Sequence, residues 1–150
     1  MSKPLLLIFA LLLSDFASGA PPYTREQISA GIKQNGGPEV FLKAVASNTA
    51  KMAGQRLDDE TELLGATALE RTLVYYVKLV NFTKADAGDL VALRRKVASR
   101  NAPSVCTSPT ASALIFDYAS EYKYIVYSSL REHLFEYSFN AKTCAPSYKW

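Results

Sequence analysis

Four segments of this chain carry the alternating apolar, aromatic and β-branched residues that are typical of strands, and they constrain the fold most. Residues on alternate positions of such a segment share one face, which predicts an apolar face built mainly from two of the segments. The four predicted strands are Leu63–Leu69, Arg71–Val80, Tyr122–Ser128 and His133–Asn140. The residues expected on the apolar face are Leu73, Tyr75, Val77, Leu79, Phe135, Tyr137 and Phe139. The register leaves open which face Tyr122 and Tyr124 take, and whether the first two strands form a hairpin or one strand bent at Gly65.

Outside these four segments, the apolar residues and turn signals show the pattern of helices. Thr24 and Gln27 form a capping box at the start of the first helix, and Pro38 is well placed at the first turn of the second. A third helix is expected from Thr83 or Asp86 to about Arg100, followed by a break at residues 101–103 and a short fourth helix. The order is α-α-β-β-α-α-β-β. It predicts an α+β fold, an antiparallel sheet of about four strands with helices packed on one face and one disulfide.

The first twenty residues indicate export. Lys3 precedes an apolar run from Leu5 to Leu13, and small residues follow it, as in a secretory signal peptide. The apolar run is too short to span a bilayer, which needs roughly 20 residues. Cleavage after Gly19 or Ala20 satisfies the preference for small residues. We therefore expect a signal peptide at residues 1–19 and a single α+β domain at residues 20–150, without a membrane span, in the periplasm or secreted.

Cys106 and Cys144 are the only cysteines. An even pair in an exported chain predicts a disulfide. By restricting the unfolded chain, a disulfide that closes a loop of this length would stabilise the fold by roughly 4 kcal/mol. A metal site would need more ligands, and a redox pair is normally close in sequence. The disulfide would tie the last strand to the helical layer.

The net charge is +3, which is too small and too dispersed to indicate nucleic-acid binding. The basic run Arg94, Arg95 and Lys96 has two interpretations. Cations are favoured near the carboxyl end of a helix without any partner. The functional interpretation is a patch for an acidic protein, anionic lipid or polyanion.

No catalytic motif is present, and we expect no enzyme activity, no cofactor and no metal. His133 is the only histidine and lies at a strand edge. The acidic residues Asp58, Asp59, Glu60 and Glu62 lack the spacing of a calcium loop. Asn81 begins an N-x-[ST] sequence that would matter only in a eukaryotic host.

More apolar and tyrosine residues lie in the strands than one covered sheet face requires. Tyr76, Tyr127 and Leu134 are candidates for a partner-binding surface, together with the basic run, because tyrosine is enriched at interfaces.

The leading hypothesis is an exported, non-enzymatic protein-binding module of immunity, inhibitor or secretion-accessory type. The partner would be another protein, and the pattern also admits a homodimer. Alternatives are a small-ligand carrier with an aromatic-lined cavity and a hydrolase that uses carboxylates such as Asp58, Glu60 or Glu62.

Overall fold

A computed structural model describes residues 23–150 of the chain. The predicted signal peptide and its cleavage site lie outside the described residues. Helix α1 (Arg25–Gln34) is followed by α2 (Pro38–Ala50), the strands β1 (Thr61–Leu69) and β2 (Thr72–Leu79), helices α3 (Leu90–Thr107) and α4 (Pro109–Ser112), and the strands β3 (Glu121–Tyr127) and β4 (His133–Phe139). A 3-10 turn (Ala85–Ala87) precedes α3, and a π-helical turn (Ala113–Asp117) continues α4. The predicted fold class is confirmed.

Local signals explain where the first two helices begin. The Thr24 backbone N–H donates to Gln27 Oε1 over 2.9 Å and the Gln27 N–H donates to Thr24 Oγ1 over 3.2 Å, which is the predicted capping box. Gly36 and Gly37 then take positive φ angles of 99° and 89° that favour glycine, and α2 starts at Pro38.

Helix α3 differs from its prediction at both ends. It starts at Leu90 because the Asp89 carboxylate accepts the Val91 and Ala92 N–H groups over 2.9 and 3.1 Å. It also continues through Pro103 to Thr107, so the predicted break is wrong. Burial of Asn101 and Val105 on the inner side of the helix outweighs the local cost of proline.

The four strands form one sheet in the order β1-β2-β3-β4. The outer pairs β1/β2 and β3/β4 are antiparallel, whereas the central pair β2/β3 is parallel. The sheet is therefore mixed but mostly antiparallel, and the predicted antiparallel pairing holds for the two outer pairs and not for the central one. The physical reason is the crossover: the chain from β2 to β3 passes through α3 and α4 and returns to the same end of the sheet.

The hydrophobic core lies between the sheet and the helices. Helix α2 packs against β1 and β2, α3 packs against β4, and α1 packs against α4. The disulfide Cys106–Cys144 joins the end of α3 to the segment after β4, with the two Cα atoms 5.4 Å apart. Within residues 23–150 no helix is both long and apolar enough to cross a membrane.

Candidate functional site

The two faces of the sheet differ sharply in burial. Along β2 and β3 every second residue is fully enclosed while its neighbours stay partly exposed. We call the enclosed side the buried face: Leu63, Ala66, Leu73, Tyr75, Val77, Tyr122, Tyr124, Val126, Phe135, Tyr137 and Phe139. We call the other side the open face: Glu62, Thr67, Val74, Tyr76, Lys78, Lys123, Ile125, Tyr127, Glu136 and Ser138.

A row of tyrosines crosses the buried face. Tyr75 pairs with Tyr124, and Tyr124 pairs with Tyr137, so three rings stand side by side on neighbouring strands. Their centroids are 5.2 and 5.1 Å apart and the rings are stacked. The same register puts Tyr122 on the buried face. The stacked rings thus fill much of the buried face with their own side chains.

Burial changes the acidity of these tyrosines. Loss of hydration raises the pKa of Tyr75, Tyr122, Tyr124 and Tyr137 because the phenolate could not be solvated there. For Tyr137 a hydrogen bond opposes part of this rise, since Asn101 Nδ2 donates to its hydroxyl over 3.1 Å.

The open face brings Tyr76 and Tyr127 onto the same side of adjacent strands. Tyr76 lies opposite Ile125, and Tyr127 lies opposite Lys78. Val74, Tyr76, Ile125 and Tyr127 are partly exposed and form no part of the hydrophobic core. The Tyr76 hydroxyl is 3.3 Å from Thr67 Oγ1, and the Tyr127 ring meets the exposed His133 ring edge-on at 6.1 Å.

Ion pairs border this aromatic centre on two sides. Lys78 Nζ lies 3.1 Å from Glu62 Oε2, and Lys123 Nζ lies 2.9 Å from Glu136 Oε1. Each cation is matched by a carboxylate, so these four side chains give the open face no net charge. The arrangement is an apolar centre with a paired, polar rim, as in the core and rim of many protein interfaces.

Leu134 does not join this surface. A β-bulge shifts the register between β3 and β4, so that Tyr127 pairs with His133 and Val126 with Phe135. Leu134 is the extra residue between these pairs, and its side chain is only 5% exposed within the core. The candidate interface therefore has to be corrected by removing Leu134.

The basic run lies on α3, in a different layer from Tyr76 and Tyr127. Arg94, Arg95 and Lys96 are exposed on α3, which packs on the buried face rather than on the open face. Sequence reasoning named these cations beside Tyr76 and Tyr127 as candidates for partner binding, and the structure places them on the helical layer. Arg94 also lines a pocket that it shares with Lys123 and Glu136 of the open face.

A groove beside α3 is a site that sequence reasoning missed. It has a volume of about 300 Å³ and is lined by Glu60, Leu79, Asn81, Phe82, Leu93, Lys96, Val97 and Arg100. The four α3 residues among them lie at i, i+3, i+4 and i+7, a spacing that places two apolar and two basic side chains on one helix face. This spacing was the sequence signal that could have revealed the groove.

The acidic run has structural roles. Asp58 Oδ1 accepts the Glu60 and Thr61 backbone N–H groups, each over 2.7 Å, and so shapes the turn before β1. Glu62 belongs to the ion pair with Lys78. In the described part of the chain, no three His, Cys, Asp or Glu residues come together as a metal site would require.

No protein-family model matches the sequence, and no curated protein matches it significantly. Solved structures do match the fold. A Pseudomonas aeruginosa protein described as secreted is 16% identical, with a TM-score of 0.60 over 71% of this chain and 92% of that protein. The pilotin EpsS of the Vibrio vulnificus type 2 secretion system is 11% identical, with a TM-score of 0.57 over 79% and 98%.

The type II secretion pilotin AspS of Vibrio cholerae is also similar, at 16% identity and a TM-score of 0.54 over 77% of this chain and 97% of the pilotin. At this identity the likeness concerns the fold alone. Together with the disulfide, these secreted and secretion-associated neighbours are consistent with an exported protein.

Proposed function

We propose that this chain is an exported, non-enzymatic protein-binding module of secretion-accessory type, and that its open face binds the partner. The observation that carries the proposal is the aromatic and apolar centre of that face, which the helices leave uncovered although they cover the other face. Contiguous apolar surface of this kind marks interaction sites on soluble proteins.

The chemistry of the open face indicates what kind of surface the partner presents. Tyr76 and Tyr127 offer apolar ring area together with hydroxyl groups, which suits a contact that is partly wet. The charges around them are already paired within the chain. The matching surface is therefore apolar and nearly neutral, rather than strongly acidic or basic.

The size of the face favours a different protein over a second copy. Four strands that are seven to nine residues long and about 4.8 Å apart give a face of roughly 500 Å². A stable interface buries about 800 Å² on each partner. A partner that also contacts surface beyond the sheet can reach that area, whereas two copies that meet through this face alone cannot.

Two further points support the proposal. The likeness to two type II secretion pilotins supports the secretion-accessory role by analogy of fold. The rival hydrolase needs facing carboxylates in a pocket, but backbone N–H groups occupy Asp58 and Lys78 pairs with Glu62. Glu60 lines the groove beside α3 without a second carboxylate in that lining.

Site-specific photocrosslinking tests the proposal. A photoreactive amino acid placed at Tyr76 or at Tyr127, in the host cell envelope, should capture the same partner. The same amino acid at Lys43, which is exposed on α2, should not. An adduct from Lys43 alone would move the site to the helical layer, and an adduct of two copies of this chain would replace the partner with a homodimer.

A pull-down completes the test with a matched pair of tyrosine variants. The double variant Tyr76→Ala/Tyr127→Ala should lose the crosslinked partner, whereas Tyr23→Ala, which changes a tyrosine that is 53% exposed elsewhere, should retain it. Equal capture by both variants would contradict the proposed site.

A further inference from the structure

We propose that the groove beside α3 binds a small anionic amphiphile, namely one apolar chain about 10 Å long that ends in a carboxylate. The length follows from the seven residues between Leu93 and Arg100 at 1.5 Å of rise each. This site is separate from the open face, so the inference does not depend on the proposed protein partner.

The base of the groove is apolar and preformed. Leu79 and Phe82 line one side, while Leu93 and Val97 of α3 line the other. Their inner surfaces pack against the core, which fixes their positions. The Ser129 backbone N–H donates to the Phe82 carbonyl over 2.8 Å and holds the loop that carries this ring.

The charges of the groove favour an anion. Lys96 and Arg100 lie one helical turn apart, and neither has an ion-pair partner among the residues from 23 to 150. Glu60 is the one carboxylate in the lining, and its side chain is exposed. Two cations against one carboxylate leave a positive excess, which Arg94 and Arg95 on the same helix increase.

The dimensions favour a small molecule over a docked helix. The volume of about 300 Å³ is at the lower end of the range for small-molecule sites. An α-helix with its side chains is about 10–12 Å wide and needs anchors along two turns, more room than this groove offers. A single extended chain fits, with its apolar part along Leu93 and Val97 and its carboxylate at the Arg100 end of the groove.

Titration with decanoate below its micelle concentration tests the inference. Followed by two-dimensional NMR of the disulfide-intact protein, decanoate should shift the signals of Phe82, Leu93 and Val97 with a dissociation constant on the order of 1 mM or tighter. Decyltrimethylammonium, which has the same chain and the opposite charge, should bind at least tenfold more weakly.

Charge variants give effects of opposite sign. Lys96→Gln/Arg100→Gln should weaken decanoate binding about tenfold, and Glu60→Gln should strengthen it about threefold by removing the opposing charge. Arg95→Gln is the matched control: it removes a cation from α3 that does not line the groove and should change binding less than twofold. All four substitutions lie at exposed positions, so the unfolding midpoint should stay constant.

Three results would overturn the inference. One is equal binding of the anionic and cationic amphiphiles, and another is shifts that lie away from the groove or no shifts at all. The third is displacement of decanoate by an acidic amphipathic peptide that binds more tightly, which would assign the groove to a protein. None of these bears on the crosslinks expected at Tyr76 and Tyr127.

Discussion

Tyr75 and Tyr76 are neighbours in β2, yet they lie on opposite faces of the sheet and have opposite roles. Tyr75 is fully buried and stacked on Tyr124, whereas Tyr76 is partly exposed and lies outside the core. Since side chains alternate along a strand, a shift of one residue exchanges a core tyrosine for an interface tyrosine. The number of tyrosines in a strand therefore does not indicate whether they serve the core or an interface until the face of each one is known.

The largest expected difference between the faces is in their response to alkaline pH. In the unfolded chain tyrosines ionise near pH 10, whereas the four on the buried face have raised pKa values. Their contribution to stability is therefore complete below about pH 10 and is lost as the pH rises towards their folded pKa values. At pH 11 the loss is on the order of 1 kcal/mol for each tyrosine, and the losses of the four act in the same direction.

Urea unfolding at pH 8 and at pH 11 measures this loss. In Tyr75→Phe, which lacks one of the four phenols, the fall in free energy of unfolding should be about one quarter smaller. A fall of the same size in this variant would contradict the assignment to the buried face.

Alanine substitutions at Tyr75 and Tyr76 should lower the free energy of unfolding by different amounts. Tyr75→Ala should lower the free energy of unfolding by about 3–5 kcal/mol, because it removes a stacked ring from a closed core. Tyr76→Ala should cost less than about 1 kcal/mol. Chemical denaturation of both variants gives the comparison directly, and similar costs would show that the open face is more enclosed than its burial implies.

Removal of single hydroxyl groups sharpens the comparison within the buried face. Tyr137→Phe should cost about 1–3 kcal/mol, because Asn101 Nδ2 loses its acceptor in a closed environment. Tyr75→Phe should be neutral or slightly stabilising at pH 7, since the Tyr75 hydroxyl has no hydrogen-bond partner among the described residues. Thermal unfolding of the two variants side by side is the measurement, and a reversed order would mean that Tyr75 rather than Tyr137 has the stronger partner.

Among the substitutions expected to destabilise the protein, the smallest cost is expected at the rim of the open face. Glu62→Gln breaks the pair with Lys78, which is partly exposed, and should cost about 0.5 kcal/mol. Raising the salt concentration should reduce that cost. A loss above about 2 kcal/mol would mean that the pair is part of the core structure rather than a rim contact.

Most secondary structure could be predicted from the sequence because its signals are local. The capping box at Thr24, the glycines before Pro38 and the alternation around Tyr75 each depend on residues a few positions apart. The faces of β2 and β4 were also predicted correctly: Leu79 is partly buried against the core, and the other predicted residues are buried, namely Leu73, Tyr75, Val77, Phe135, Tyr137 and Phe139. Helix α3 shows the limit of local signals, because it passes the proline that was expected to end it.

The candidate site was harder to predict, because it depends on which segments meet. Tyr76 and Tyr127 were identified as surplus aromatics, but only the pairing of β2 with β3 places them on one face. Leu134 was included because alternation alone does not reveal a bulge. The groove joins α3 to the loop after β2, and the spacing of Leu93, Lys96, Val97 and Arg100 indicates a helix face without saying what it faces.

The sequence by itself determined the α+β class, most element positions and the choice of Cys106 and Cys144 as a pair. It could do so because periodicity, caps and cysteine number act within short segments or through composition. Only the tertiary structure decided the parallel central pair, the burial of Leu134 and the separation of the basic run from the open-face tyrosines. These features depend on the register and crossover of segments distant in sequence, and the free energy that selects them comes from burying side chains together.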